Sequence, residues 1–291
     1  GVNHLPEVQI QLKDIEDAWE AKLNKVFPHV SGAELQPALP KFALDVHESL
    51  TARRSEMKAD GAKFDTTKST ARPRVIIPVF PGTNCEYDMA RAFNLAGAET
   101  KILVFSNRTP EDLAASLDAF KNEIDKSQIV AFSGGFSAGD EPDGSGKFIA
   151  NVIRENRIAD SVMSLLKKRD GLVLGICNGF QALIKTGLVP YGEIKEPSAD
   201  MPTLTFNKIG RHVSRVVRTR MVSATSPWAL TNSVLDERIH LVPVSHGEGR
   251  IVISNEFAEK LFTNGQVFTQ YVDEFGVPSI TEPDNPNGSL F

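Results

Sequence analysis

Apolar runs of four to six residues recur from residue 73 onward, each followed by a stretch with helical spacing, and this alternation restricts the fold more than any other feature. The runs are Val75 to Phe80, Lys101 to Phe105, Ile129 to Phe132 and Leu172 to Ile176. Short continuous apolar runs fit strands covered on both faces. Between them the spacing predicts helices over Cys85–Ala96, with Met89, Ala92, Phe93 and Ala96 on one side, over Pro110–Phe120, over one long region Lys147–Lys168, and over Asn178–Thr186. Strands alternating with helices in this way call for an α/β fold, a mostly parallel, doubly wound sheet with flanking helices. From Leu204 the texture changes to strands: Val213–Met221, an interrupted run from Ile239 to Val244, Ile251–Ile253 and Val267–Val272. These predict antiparallel strand additions to that sheet.

The first 72 residues differ. Leu12–Val26 has Ile15, Trp19, Leu23 and Val26 at helical spacing, followed by Pro28, Pro37 and Pro40 and a polar stretch from Thr51 to Arg72. Residues 1–72 are expected to be an N-terminal connector or linker from an upstream domain, and 73–291 the main domain. Charged residues make up 24% of the chain with acids and bases mixed, and the net charge is -5, so no basic stripe points to nucleic acid. No apolar run reaches membrane-spanning length, and the N-terminus lacks the plan of a signal peptide. Two cysteines in 291 residues do not make a disulfide framework, which fits a reducing, cytoplasmic setting. No His/Cys/Asp/Glu spacing suggests a metal site.

The most informative segment runs from Gly171 to Gln181. A buried strand passes straight into a helix through Gly175-Ile176-Cys177-Asn178-Gly179. This is the nucleophile-elbow arrangement with cysteine as the nucleophile. The turn is tight, so residues two positions away on either side must be small, and both are glycine. Cys177 then stands at a helix N-terminus, whose dipole favours a thiolate, and the backbone amide of Asn178 is placed where an oxyanion would form. The alternative is a buried cysteine with incidental glycines. A second loop, Ser133–Asp140, follows the third strand, and in a parallel sheet such loops gather at one edge. Gly135 is the expected second oxyanion donor, with Gly134 the near alternative.

These segments occur in order with Pro78–Glu86, Ser245-His246-Gly247-Glu248-Gly249-Arg250 and Asn285-Pro286-Asn287-Gly288-Ser289. Together they resemble the class I glutaminase part of phosphoribosylformylglycinamidine synthase, over roughly Arg72 to Phe291. The resemblance implies a flavodoxin-like α/β fold in which Cys177 attacks the side-chain amide of glutamine and forms a thioester. Gly134, Gly135, Phe136, Asn178, Gln181, His246 and Glu248 would bind the oxyanion or glutamine. Ammonia would pass to a synthetase domain of the same polypeptide or complex, which makes formylglycinamidine ribonucleotide in purine biosynthesis. No cofactor is expected in this chain; ATP and Mg belong to the synthetase. The N-terminal segment resembles the connector of the fused, long form.

The family completes its triad with a His-x-Glu pair shortly after Asn-Pro-Asn-Gly-Ser, and this sequence stops at Phe291. The resemblance therefore implies that base and orienting carboxylate are absent and that the chain hydrolyses glutamine poorly. His246-Gly247-Glu248 has the same spacing. It is expected to shape the pocket or pair strands; the competing reading makes His246 the base. The rival functions are an inert docking or scaffold module and a relative of the deglycase and intracellular-peptidase superfamily. Asn178, where those proteins often place histidine, counts against the last. Cys85 is expected to pack or line the pocket. His212 and His240 are expected to be surface or core residues, and Arg211, Arg215, Arg218 and Arg220 a solvated strand face.

Overall fold

The computed structural model describes residues 10–22, 38–44, 72–136, 146–223, 226–228 and 239–291. Most of the expected N-terminal connector, including residues 51–71, and residues 137–145, with the end of the second loop, lie outside them. So do Leu23 and Val26 of the N-terminal helix, whose described part is α1, Leu12–Ala21. Ile15 and Trp19 on α1 are exposed, and the Arg211 guanidinium lies 5.4 Å from the Trp19 ring centre.

The parallel sheet contains β1 (Arg74–Val79), β2 (Glu99–Val104), β3 (Ile129–Phe132) and β4 (Leu172–Gly175) in the order β2-β1-β3-β4. All three pairings are parallel. The central strands β1 and β3 are covered on both faces, whereas the edge strands β2 and β4 are half-exposed. The β1–β3 register covers Val75 and Ile76, which leaves Pro78, lacking an N–H, past the end of that ladder.

Helices cover both faces. Val75, Ile77 and Ala131 turn towards α2 (Glu86–Leu95) and pack with Met89 and Ala90. Ile76, Val130 and Phe132 turn the other way, onto α3 (Pro110–Lys126), α4 (Lys147–Arg154), α5 (Asn156–Lys168) and α6 (Asn178–Thr186). Period-two alternation along buried strands supplies one core to each layer of helices. Three helix expectations need correction. Ala92 on α2 and Ala96 just after it face solvent, and Ala90 takes the buried place beside Met89. The region 147–168 is two helices: Glu155 leaves the helical conformation (ψ 130°), and its carboxylate accepts the N–H groups of Arg157 and Ile158 as the cap of α5. Helix α3 also continues past Phe120 to Lys126.

The antiparallel strands form sheets of their own instead of extending the parallel ladder. One pairs β5 (Thr203–Thr205) with β8 (Arg250–Val252). The other has the order β7-β6-β9, from β7 (His240–His246), β6 (Val213–Met221) and β9 (Thr269–Tyr271). Pro243 lies within β7, opposite Val216, and does not interrupt it. Helix α7 (Asn255–Thr263) follows β8. A cavity of about 770 Å³ lies between these strands and α6, lined mostly by apolar side chains such as Phe180, Val217, Val244 and Phe291. Among the described residues no helix is long and apolar enough to cross a membrane.

Candidate active site

The order β2-β1-β3-β4 reverses direction between β1 and β3, the place where open α/β sheets bind ligands beyond their strand ends. The loops after β1 and β3 meet there. Thr83 and Gly135 form an isolated antiparallel bridge: Asn84 N–H donates to Gly134 O (3.2 Å) and Phe136 N–H to Gly82 O (2.8 Å). Neither bond uses the Gly135 N–H. Gly135 has φ 136°, and a Cβ on it would lie 2.5 Å from Gly82 O and 2.8 Å from Asn84 N. Both its conformation and its close approach to the β1 loop demand glycine. Phe136, next along, is largely exposed.

Cys177 stands at the next strand end, between β4 and α6. Its φ of 53° and ψ of -111° lie outside the regions L residues favour, so the elbow is strained where the thiol is presented. The surroundings hold it there. Ile176 N–H donates to Phe132 O (3.0 Å) and Gln181 N–H to Cys177 O (3.0 Å). A Cβ on Gly179 would lie 2.3 Å from Phe132 O, and one on Gly175 would lie 2.7 Å from a Leu183 methyl and 2.8 Å from the Gly179 backbone. The thiol side is exposed. Gly134 faces it: a Cβ there would lie 3.2 Å from Cys177 Cβ and 3.6 Å from Cys85 Sγ. Gly134, Cys177 and Cys85, the residue just before α2, therefore meet at one spot, in line with the expectation that Cys85 packs or lines the pocket.

The third wall comes from the end of β7 and the turn that follows it. Cys177 Sγ lies 4.0 Å from Ser245 O. The Gln181 side chain ties α6 to this segment: Nε2 donates to Glu248 O (3.1 Å), and Oε1 accepts from Asn178 Nδ2 (3.0 Å). Asn178 and Gln181 are buried, so their side chains brace the elbow. His246 Nδ1 lies 2.9 Å from Asn207 Oδ1. Burial holds the His246 pKa below its ordinary 6.5, with His212 adding to the effect and a backbone hydrogen bond opposing it. His212 itself bonds Ser245 Oγ at 3.0 Å. The arginine cluster is less uniform than expected. Arg215 and Arg218 reach the 283–284 turn, while the partly buried Arg220 has its pKa lowered by desolvation.

The Asn285–Ser289 motif braces the same segment from behind. Asn287 Nδ2 donates to Gly249 O (3.0 Å) and to Tyr271 Oη (3.1 Å), and Ser289 Oγ accepts from Ile251 N–H (3.0 Å). Asn285 Oδ1 accepts the Gly288 N–H at 2.8 Å. Asn285, Asn287 and Ser289 are all buried. Asn207, also buried, has no motif around it, and its partners His246 and Gly249 lie about 40 residues away; a single sequence carries no signal for it.

Comparison with known proteins shows the family. Residues 72–291 match the model of the CobB/CobQ-like glutamine amidotransferase domain. Phosphoribosylformylglycinamidine synthase subunit PurQ of Dehalococcoides mccartyi is 36% identical over 76% of this chain and 77% of its own. The subunit of that name from Methanococcus maripaludis strain S2 is 34% identical over 75% and 74%. A solved structure of PurLQS from Thermotoga maritima aligns with TM-score 0.48 and 24% identity, covering 75% of this chain and 86% of that one. The chain belongs to the CobB/CobQ-like glutamine amidotransferase family, as a PurQ-like domain.

Proposed function

We propose that this chain is a glutamine-hydrolysing domain in which Cys177 is the nucleophile, and that the ammonia passes to a synthetase. The observation that carries the reading is the elbow: a strained, exposed cysteine at the head of α6, facing a glycine that leaves its front open. The thiolate attacks the side-chain carbonyl carbon of glutamine. The backbone amides of Asn178 and Gly135 receive the negative charge that develops on the carbonyl oxygen. The amide nitrogen takes up, through solvent, the proton that the thiol gave up on forming the thiolate; the C–N bond breaks, ammonia leaves, and a thioester to Cys177 remains. Water cleaves the thioester, releasing glutamate and restoring the thiol. Gly134, Phe136, His246 and Glu248 line the glutamine pocket. Asn178 and Gln181 hold its floor.

The relatives' name supports the destination of the ammonia: ATP-dependent conversion of formylglycinamide ribonucleotide to formylglycinamidine ribonucleotide in purine biosynthesis. ATP and magnesium then belong to the synthetase, carried on the same polypeptide or in a complex.

An electrophilic glutamine analogue, such as a diazo ketone, tests the reading directly. Mass spectrometry is expected to find one adduct, on Cys177, suppressed by excess glutamine and lost in Cys177→Ala. Labelling of Cys85 in its place, or labelling that glutamine does not suppress, would overturn it.

A further inference from the structure

Asn207 is fully buried, and both ends of its side-chain amide are engaged. Nδ2 donates to Arg211 O (2.9 Å) and His246 O (2.8 Å). Oδ1 accepts the Gly249 N–H (3.2 Å) and faces His246 Nδ1 (2.9 Å). Carbonyl oxygens only accept and a backbone N–H only donates, so these three backbone groups fix which end of the amide is which. What Oδ1 offers the imidazole is therefore an acceptor, and Nδ1 must carry a proton. Burial disfavours a second proton, because the imidazolium would lose solvation. Nε2 is left with its lone pair.

The ring is also fixed in place. A Cβ on Gly249 would lie 2.5 to 2.7 Å from His246 Cε1, Nδ1 and Nε2, so the imidazole lies directly against that glycine. The segment bearing it borders the elbow on two sides: Ser245 O stands 4.0 Å from Cys177 Sγ, and Glu248 O is bonded to Gln181 of α6.

We infer that Asn207 is a positioning residue that holds His246 as the Nδ1–H tautomer, so that Nε2 presents a fixed acceptor to an N–H donor of the ligand bound beside Cys177. The ligand part rests on the glutaminase reading; the tautomer does not. Glutamine carries two N–H-bearing groups, its amide and its ammonium, whereas a carboxylate could not pair with an acceptor.

Histidine labelled with nitrogen-15 in the whole chain tests this at about pH 7.5, where protonated and lone-pair ring nitrogens differ in proton–nitrogen spectra. His246→Gln identifies the resonances. The expected wild-type pattern is a protonated Nδ1 and a lone-pair Nε2, and Asn207→Ala is expected to give a mixture of tautomers. A dominant Nε2–H form or an imidazolium in the wild type would overturn the assignment, whether or not Asn207→Ala folds. Glutamine is expected to shift the Nε2 resonance, and glutarate, which has no N–H, to leave it in place. An unmoved resonance with glutamine bound, as verified by calorimetry, would overturn the acceptor role. Absence of glutamine binding together with the Nδ1–H pattern would sink the glutaminase reading and leave the positioning role standing.

Discussion

Cys177 can occupy its unusual backbone conformation only because its neighbours leave room for the turn. Gly179 is the tighter of the two flanking glycines, since its missing Cβ would overlap a main-chain oxygen of β3 that cannot rotate away. Gly175 faces a leucine methyl, which can move, as well as backbone. Gly179→Ala is therefore expected to cost about 1–3 kcal/mol or more in denaturant unfolding, and to slow labelling of Cys177 by separating β3 from α6. Equal stability of this variant and the wild type would show that the elbow has slack. The Gly-x-Cys-x-Gly pattern was legible because its constraint is local. His246 was legible only as a candidate, because its role depends on a residue 39 positions away. Its pKa is lowered in the fold. As pH falls through 6.5, the unfolded chain takes up a proton on this histidine while the folded chain resists. Its contribution to stability is thus present above that value and is lost on acidification down to the lower folded value. His246→Gln keeps a donor and cannot titrate. The stability advantage of wild type over this variant is expected to shrink between about pH 8 and about pH 5.5 in urea titrations. An advantage that stays constant or grows would contradict the assignment.

At the scale of elements, the parallel sheet was readable because each βα unit announces itself within a few residues: an apolar run, a turn and a helical stripe. The break at Glu155 was not, since apolar spacing continues through Ile149, Ile153, Ile158, Val162 and Leu165, which share one core. Periodicity records which face is buried and not whether the axis bends. The bend was nonetheless encoded, in a carboxylate that can turn back onto the first amides of α5. Glu155 also pairs with Arg157 Nε at 2.9 Å. Glu155→Ala should cost about 0.5–2 kcal/mol as a lost N-cap, read as a lower urea midpoint at unchanged slope. Glu155→Asp, with a shorter arm but the same acceptor, should recover part of that loss. No effect of the alanine variant would mean that packing alone sets the break. The antiparallel strands were foreseen as strands, yet their grouping into separate sheets depends on pairings across long sequence separations, such as Thr205 with Arg250.

Across the whole molecule, the site depends on joining three distant segments: the elbow of the parallel layer, the 245–249 segment of the antiparallel layer, and the Asn285–Ser289 motif. The sequence showed each as a motif but not that the last two form one clamp. Gln181 holds Glu248 O from the elbow side, and Asn287 holds Gly249 O from the other. Adjacent peptide groups are thus gripped from opposite directions, so loosening one grip should change what the other contributes. Gln181→Ala and Asn287→Ala are each expected to cost about 1–3 kcal/mol, because buried partners are left without hydrogen bonds. Their sum should not describe the double variant. If the segment is already released in one single variant, the second substitution has less left to break, and the double variant should be more stable than additivity requires by about 0.5 kcal/mol or more. Weaker protection of Cys177 by glutamine should accompany each single variant, since the wall of the pocket moves with the segment. Strict additivity within about 0.3–0.5 kcal/mol would show instead that the two grips act on independent parts, and that the C-terminal motif stabilises its own layer without reaching the thiol.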